Sequence, residues 1–147
     1  MKIAAFLEKH QPSIISCRRA DTLQAAATLL YSNRIGAMPV VDSNGKLVGV
    51  LSERDIVSAL SQRPHEVLKL YVRDVMSSPP VTAHLDEDMC AAQRRMMHHK
   101  FRHLPVVDDA GNLKGMLSIR DALEVELRDK ELEAAVLRDN VISARYS

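Results

Sequence analysis

Ser52, Arg54 and Asp55 form a Ser-x-Arg-Asp run that returns as Ser118, Arg120 and Asp121. A carboxylate can accept from both hydroxyls of a ribose, and a helix start offers N–H groups to a phosphate. The same spacing also describes a helix N-terminus in which Ser caps the first turn and Asp sits at its positive end. One residue can do both, so the spacing leaves the two readings open. Arg54 and Arg120 can serve either a phosphate or the adjacent carboxylate. Gly49 and Gly115 come just before, where a missing side chain would let a ligand approach the chain.

A second set of reactive types lies between Asp88 and Asp108, a stretch with no acid but with Arg94, Arg95, His98, His99, Lys100, Arg102 and His103. Arg94 and Arg95 read as a solvated helix face, and Met89, Met96 and Met97 as core packing. Lys100, Arg102 and His103 fall where a helix should give way to a strand. No metal site is expected: adjacent histidines on a helix point to different faces, and no carboxylate lies near to orient them. Cys17 and Cys90 lack metal-like spacing and read as small buried hydrophobes in a reducing compartment. There is no nucleophile with a base and no Gly-rich phosphate loop, so an enzyme is not expected.

These groups have to be placed by a chain of 147 residues, enough for one domain or two small repeats with a joint core. Twenty Lys and Arg against nineteen Asp and Glu give a net charge of +1, and aromatics make up 3% with no Trp. That balance argues against a nucleic-acid binder, which needs a cationic field and stacking platforms. The opening MKIAAFLEKHQ is too short in apolar residues for a signal peptide, and no run nears the ~18–20 required to span a bilayer. A cytoplasmic protein is expected, with no membrane partner.

The chain is an internal duplication. With a shift of 66 residues, Asn33–Asp55 and His99–Asp121 agree at 11 of 23 positions without a gap. Each copy reads as a short strand (Ser13–Cys17; Pro80–Ala83), a helix, two strands joined by a Gly turn (Met38–Asp42 and Lys46–Leu51 in the first copy), and a helix opening at Ser52 or Ser118. Asp21, with Gln24 three residues on, reads as the first N-cap. Asp42 and Asp108 precede the turns and read as hairpin residues. The fold class is therefore α/β (α+β): two tandem β-α-β-β-α repeats packed sheet to sheet as a pseudo-twofold pair. Residues 1–62 form repeat 1 with an N-terminal helix, 63–70 a linker at Arg63-Pro64, and 71–147 repeat 2 with a longer C-terminal helix. On that last helix, Leu123, Leu127, Ala134, Leu137 and Val141 form an apolar stripe.

Two copies of an Ala-rich helix, then "MPVVDSNGKLVGVLS" or "LPVVDDAGNLKGMLS", then an Asp, resemble the cystathionine-β-synthase (CBS) domain, and the pair resembles a Bateman module. The resemblance runs from about residue 13 to 123. It implies a non-catalytic sensor that binds an adenosine-containing ligand (AMP, ADP, ATP, NAD(H) or S-adenosylmethionine) in clefts between the repeats. It also implies a homodimer, a flat disc of four repeats, that signals to a partner protein; a ligand-free dimerisation scaffold is the alternative. By the same resemblance, Ser52, Asp55, Ser118 and Asp121 contact ribose and phosphate, and Arg34, Lys100, Arg102 and His103 are phosphate candidates. The adenine slot falls to Ile15, Ser16 and Cys17, to Val81, Thr82 and Ala83, and to Ala37, Met38, Pro39, Leu104 and Pro105. Lys100, Arg102 and His103 stand opposite Arg34, Gly36 and Ala37 in the alignment, so one cleft is expected to be cationic and the other bare.

Overall fold

The computed structural model describes residues 1–146. Helix α1 (Ile3–His10) is followed by α2 (Leu23–Asn33), strands β1 (Ala37–Val41) and β2 (Leu47–Ser52), and α3 (Glu53–Gln62). After a 3-10 turn at Val67–Lys69 come α4 (Val72–Val75), β3 (Ala83–His84), α5 (Met89–His99), β4 (His103–Val107), β5 (Leu113–Ser118) and α6 (Ile119–Tyr146).

The duplicated hairpins are built alike. Asp42 Oδ1 accepts the N–H groups of Asn44 and Lys46, and Asp108 Oδ1 those of Ala110 and Asn112. These bonds hold both carboxyls below their usual range. Gly45 and Gly111 take the positive φ that the turns require, 79° and 83°. The two tips then meet: Leu47 N–H donates to Gly111 O at 3.2 Å, and Leu113 N–H to Gly45 O at 3.3 Å.

The first strands are shorter than expected. Ser13–Cys17 contributes a single parallel bridge, Cys17 to Val40, and the second repeat keeps only Ala83–His84 beside β4. Pro12, Pro79 and Pro80 flank these segments without an N–H to extend a ladder. The α2 cap is also displaced by one residue. Thr22 Oγ1 accepts from Ala25 N at 3.1 Å, while Asp21 turns back to Arg18 N at 2.8 Å. Asp88, in register with Thr22, caps α5.

The cores are closed by exchange. Ile3 and Phe6 of α1 lie among Ala83, Met89, Met96, Leu104, Val106 and Leu117 of the second repeat. Leu70 and Val72, which lead into that second repeat, lie among Leu23, Ala26, Leu30, Met38, Val40 and Leu51 of the first. The backbone repeats the trade. Ile3 N–H donates to Glu87 O and Met89 N–H to Met1 O; Val72 N–H donates to Asp21 O and Leu23 N–H to Leu70 O. The N-terminal helix thus belongs by packing to repeat 2 and not to the repeat it precedes. The repeat glycines accommodate this traffic. A Cβ on Gly115 would lie 2.8 Å from both terminal methyls of Leu7, and one on Gly49 would lie 2.8 Å from Met76 Sδ and 3.0 Å from the Ser77 carbonyl. The space they leave is filled by protein, not held open for a ligand.

Among the described residues, no helix is long and apolar enough to cross a membrane.

Candidate functional site between the repeats

Helices α2 and α5 both end on a cation in the left-handed conformation, Arg34 at φ 53° and Lys100 at φ 59°. Glycine or asparagine usually holds such a cap. The chain then turns directly into β1 or β4, whose partners β2 and β5 run out into Ser52 and Ser118. Because Ala37 pairs with Ser52 and His103 with Ser118, each junction is fixed beside the helix start of its own repeat. Carbonyls of the junctions take the first helical N–H groups: Glu53 N–H donates to Gly36 O at 2.9 Å and Ile119 N–H to Arg102 O at 2.8 Å.

Both Ser/Asp pairs are capping boxes. Asp55 N–H donates to Ser52 Oγ and Ser52 N–H to Asp55 Oδ2; Asp121 and Ser118 do the same at 3.0 and 2.8 Å. The local role is therefore filled in both repeats, with the hydroxyls and carboxylates held in fixed orientations.

The two helix starts and the two junctions face one continuous cavity of about 1050 Å³. Its wall includes Arg34, Ala37, Ser52, Arg54, Asp55, Val81, Lys100, Arg102, His103, Pro105, Ser118 and Arg120. Ile15, Ser16, Cys17, Met38, Pro39, Thr82, Ala83, Leu104 and Asp121 do not line it. Met38, Pro39, Leu104 and Pro105 are fully buried and Cys17 and Ala83 nearly so. Met38, Cys17, Leu104 and Ala83 point into the repeat cores, whereas Pro105, on the other face of its strand, reaches the cavity. Burial, with Asp21 nearby, pushes the Cys17 thiol up to about 12, so it stays a neutral core group. Cys90 is exposed.

The cavity merges the expected cationic and bare sides. Arg34, Arg54, Lys100, Arg102 and Arg120 face it against Glu53 and Asp55, five cations to two carboxylates. The segments that lead into the repeats contribute unequally: Pro79, Pro80 and Val81 line the cavity together with Ile35, Ala37 and Val50, whereas Ser13–Ile15, which match Pro79–Val81, do not. Glu53 and Phe101 were not expected at the site, and His99 was named only as a member of the cationic stretch. Phe101 stacks on His99 with centroids 5.2 Å apart and planes within 12°. An aromatic beside a junction cation was the signal for it. Gly36 lets Glu53 and His103 approach across the repeats; a Cβ there would lie 2.8 Å from Glu53 Oε1 and 3.4 Å from His103 Cε1. His103 is held below 6.5, first by burial and then by Arg102, against Asp121 and Glu53, which favour its charged form.

Arg95 is not a solvated residue. It makes two hydrogen bonds to Glu87, at 3.0 and 2.7 Å, and one to Thr82 O at 2.8 Å, and so ties α5 to the approach to β3. His84, Asp86 and Asp109 also meet where the sequence separates them. His84 Nε2 lies 2.6 Å from Asp109 Oδ1, and Asp86 N–H donates to His84 Nδ1. This cluster lies outside the cavity wall.

Comparison with known proteins agrees with this architecture. The CBS domain model matches residues 8–62 and 72–128. An uncharacterized protein of Methanopyrus kandleri is 28% identical over 126 residues, 86% of this chain and 64% of its own length. Inosine-5′-monophosphate dehydrogenase of Helicobacter pylori is 36% identical over 113 residues, 76% of this chain but 22% of the enzyme. The chain therefore spans less than two thirds of these relatives. A CBS domain protein of Pyrobaculum aerophilum complexed with AMP superposes with a TM-score of 0.75 at 30% identity, covering 88% of this chain and 99% of that one. A CBS domain pair in complex with 5′-methylthioadenosine and S-adenosyl-L-methionine gives 0.76 at 26% identity, over 88% and 98% of the two chains. Duplicated hairpins, capped helix starts facing one another and matches over both repeats lead to one conclusion: the chain belongs to the CBS-domain family, as a pair of repeats.

Proposed function

We propose that this chain is a non-catalytic regulatory module that binds an adenosine phosphate in the inter-repeat cavity and conveys its occupancy to a partner protein. The observation that carries the reading is the cation excess on the cavity wall, supplied by equivalent positions of both repeats: Arg34 with Lys100, and Arg54 with Arg120. Clustered guanidinium and ammonium groups suit phosphate oxygens, and a partly enclosed wall weakens solvent screening. Pro80, Val81, Ala37 and Phe101 offer the apolar and aromatic surface that a purine needs. Structural relatives carry AMP or S-adenosyl-L-methionine. The cavity's charge favours AMP, ADP, ATP or NAD(H) over the sulfonium of S-adenosylmethionine, which brings a cation of its own.

The closed Ser52–Asp55 and Ser118–Asp121 boxes favour a second reading, a ligand-free interaction scaffold, since both pairs already have structural work. Thermal unfolding against AMP, ADP, ATP, NADH and S-adenosylmethionine separates the two. A ligand at 100 times its dissociation constant adds about 2.7 kcal/mol, a shift of several degrees for a chain of this size. Lys100→Ala with Arg102→Ala should reduce the shift for the phosphorylated ligands. No shift from any of the five compounds leaves the scaffold.

A further inference from the structure

The family match ends at residue 128, but α6 runs on to Tyr146. The extension is about 27 Å of helix at 1.5 Å per residue. Leu127, Leu137 and Val141 are 59%, 64% and 54% exposed, with Ala134 exposed beside them. At 100° per residue these four fall on one face, continuous with Leu123, which is half exposed. In heptad terms, Leu127, Ala134 and Val141 occupy a positions and Leu123, Lys130 and Leu137 occupy d. Lys130 reaches back to Glu126 at 3.4 Å and can lay its stem along the seam.

The flanking charges are not evenly spread. Glu124, Glu126, Glu131 and Glu133 border the first half of the stripe, and Arg138 and Arg145 border the second half. A helix acidic at one end of its seam and basic at the other is complementary to itself when reversed. We propose that α6 pairs antiparallel with α6 of a second copy of this chain, the twofold axis passing near Ala135–Val136. Leu137 of each copy then packs on Ala134 of the other. Glu131 faces Arg138 and Glu124 faces Arg145, each pair formed twice because a twofold contact is isologous. A parallel pair would gain Glu133 against Arg138, but it would set Glu126 against Glu131, like against like, and leave Arg145 facing Asn140. Leu132, 65% exposed, lies on the opposite side of the helix and stays in water. The contact does not depend on what the cavity binds, and it lies beyond the repeats themselves.

Sedimentation velocity over a concentration series of the full chain tests it. Leu137→Glu with Val141→Glu should weaken association by at least about 100-fold, because two charges enter the seam, while Leu132→Glu should leave it unchanged. Glu131→Arg and Arg138→Glu should each weaken it by about tenfold, and the two together should restore it. A parallel pair predicts that Glu131→Arg tightens the dimer. The proposal is overturned by a chain monomeric at every concentration, by a dimer that survives the Leu137/Val141 change undiminished, or by a charge exchange without rescue. Circular dichroism of each variant checks that these exposed positions have not unfolded the helix.

Discussion

His103 concentrates the chemistry of the cavity in one side chain. It stands in the wall between Glu53 of one repeat and Asp121 of its own, yet burial keeps its imidazole below 6.5. The unfolded chain therefore binds a proton that the folded chain refuses. Stability from this residue is present above about pH 6.5 and is lost as pH falls through the lowered folded value. The carboxyls of Asp42, Asp108, Glu87 and Asp88 are lowered too, but their losses begin further down, from starting values of 3.8 to 4.5. Urea midpoints measured from pH 7.5 to about 5 isolate the histidine. His103→Gln should flatten that part of the profile; an unchanged slope would show that another group titrates there. The histidine's type and junction position were legible in sequence. Its neighbour across the repeats was not, since Glu53 stands 50 positions away and no local pattern links them.

At the scale of elements, the duplication told most of the story. The Asp–Gly turns and the helix starts at Ser52 and Ser118 stand where their spacing placed them, because each depends on bonds within a few residues. Elements that depend on distant partners were harder to read. The first strands shrank to a bridge and a two-residue strand, and Met38, Cys17 and Leu104 went to the cores because alternation in a strand sends every second side chain inward. The glycines of β2 and β5 show how a repeated letter can meet different neighbours. Gly49→Ala must displace the Ser77 backbone, which is itself paired with Val50 by bonds of 3.1 and 2.9 Å. Gly115→Ala meets only the tip of Leu7, which can change rotamer. Gly49→Ala should cost about 1–3 kcal/mol by overpacking and Gly115→Ala clearly less. Denaturant unfolding of the two variants compares them, and equal losses would sink the argument.

For the molecule as a whole, the exchange of α1 for the Leu70–Val75 segment decides how stability is distributed. Self-comparison of the sequence revealed that two copies exist but not which core each lead-in helix enters, since either assignment buries the same residues. Phe6→Ala should cost about 3–5 kcal/mol, as buried Phe to Ala changes do. Hydrogen exchange should report the damage at β4, β5 and α5, more than 70 residues downstream in the sequence, ahead of the nearby β1 and β2. Earliest loss of protection in β1 and β2 would refute the crossed packing.

That crossing bears on what a single half could be. A gene encoding one copy alone would make a chain that has to borrow its missing lid from another molecule, so its folding would weaken on dilution. Fusing two copies head to tail replaces that dependence with a high effective concentration supplied by the tether. The cleft between the halves is thus assembled in every molecule, however scarce the protein.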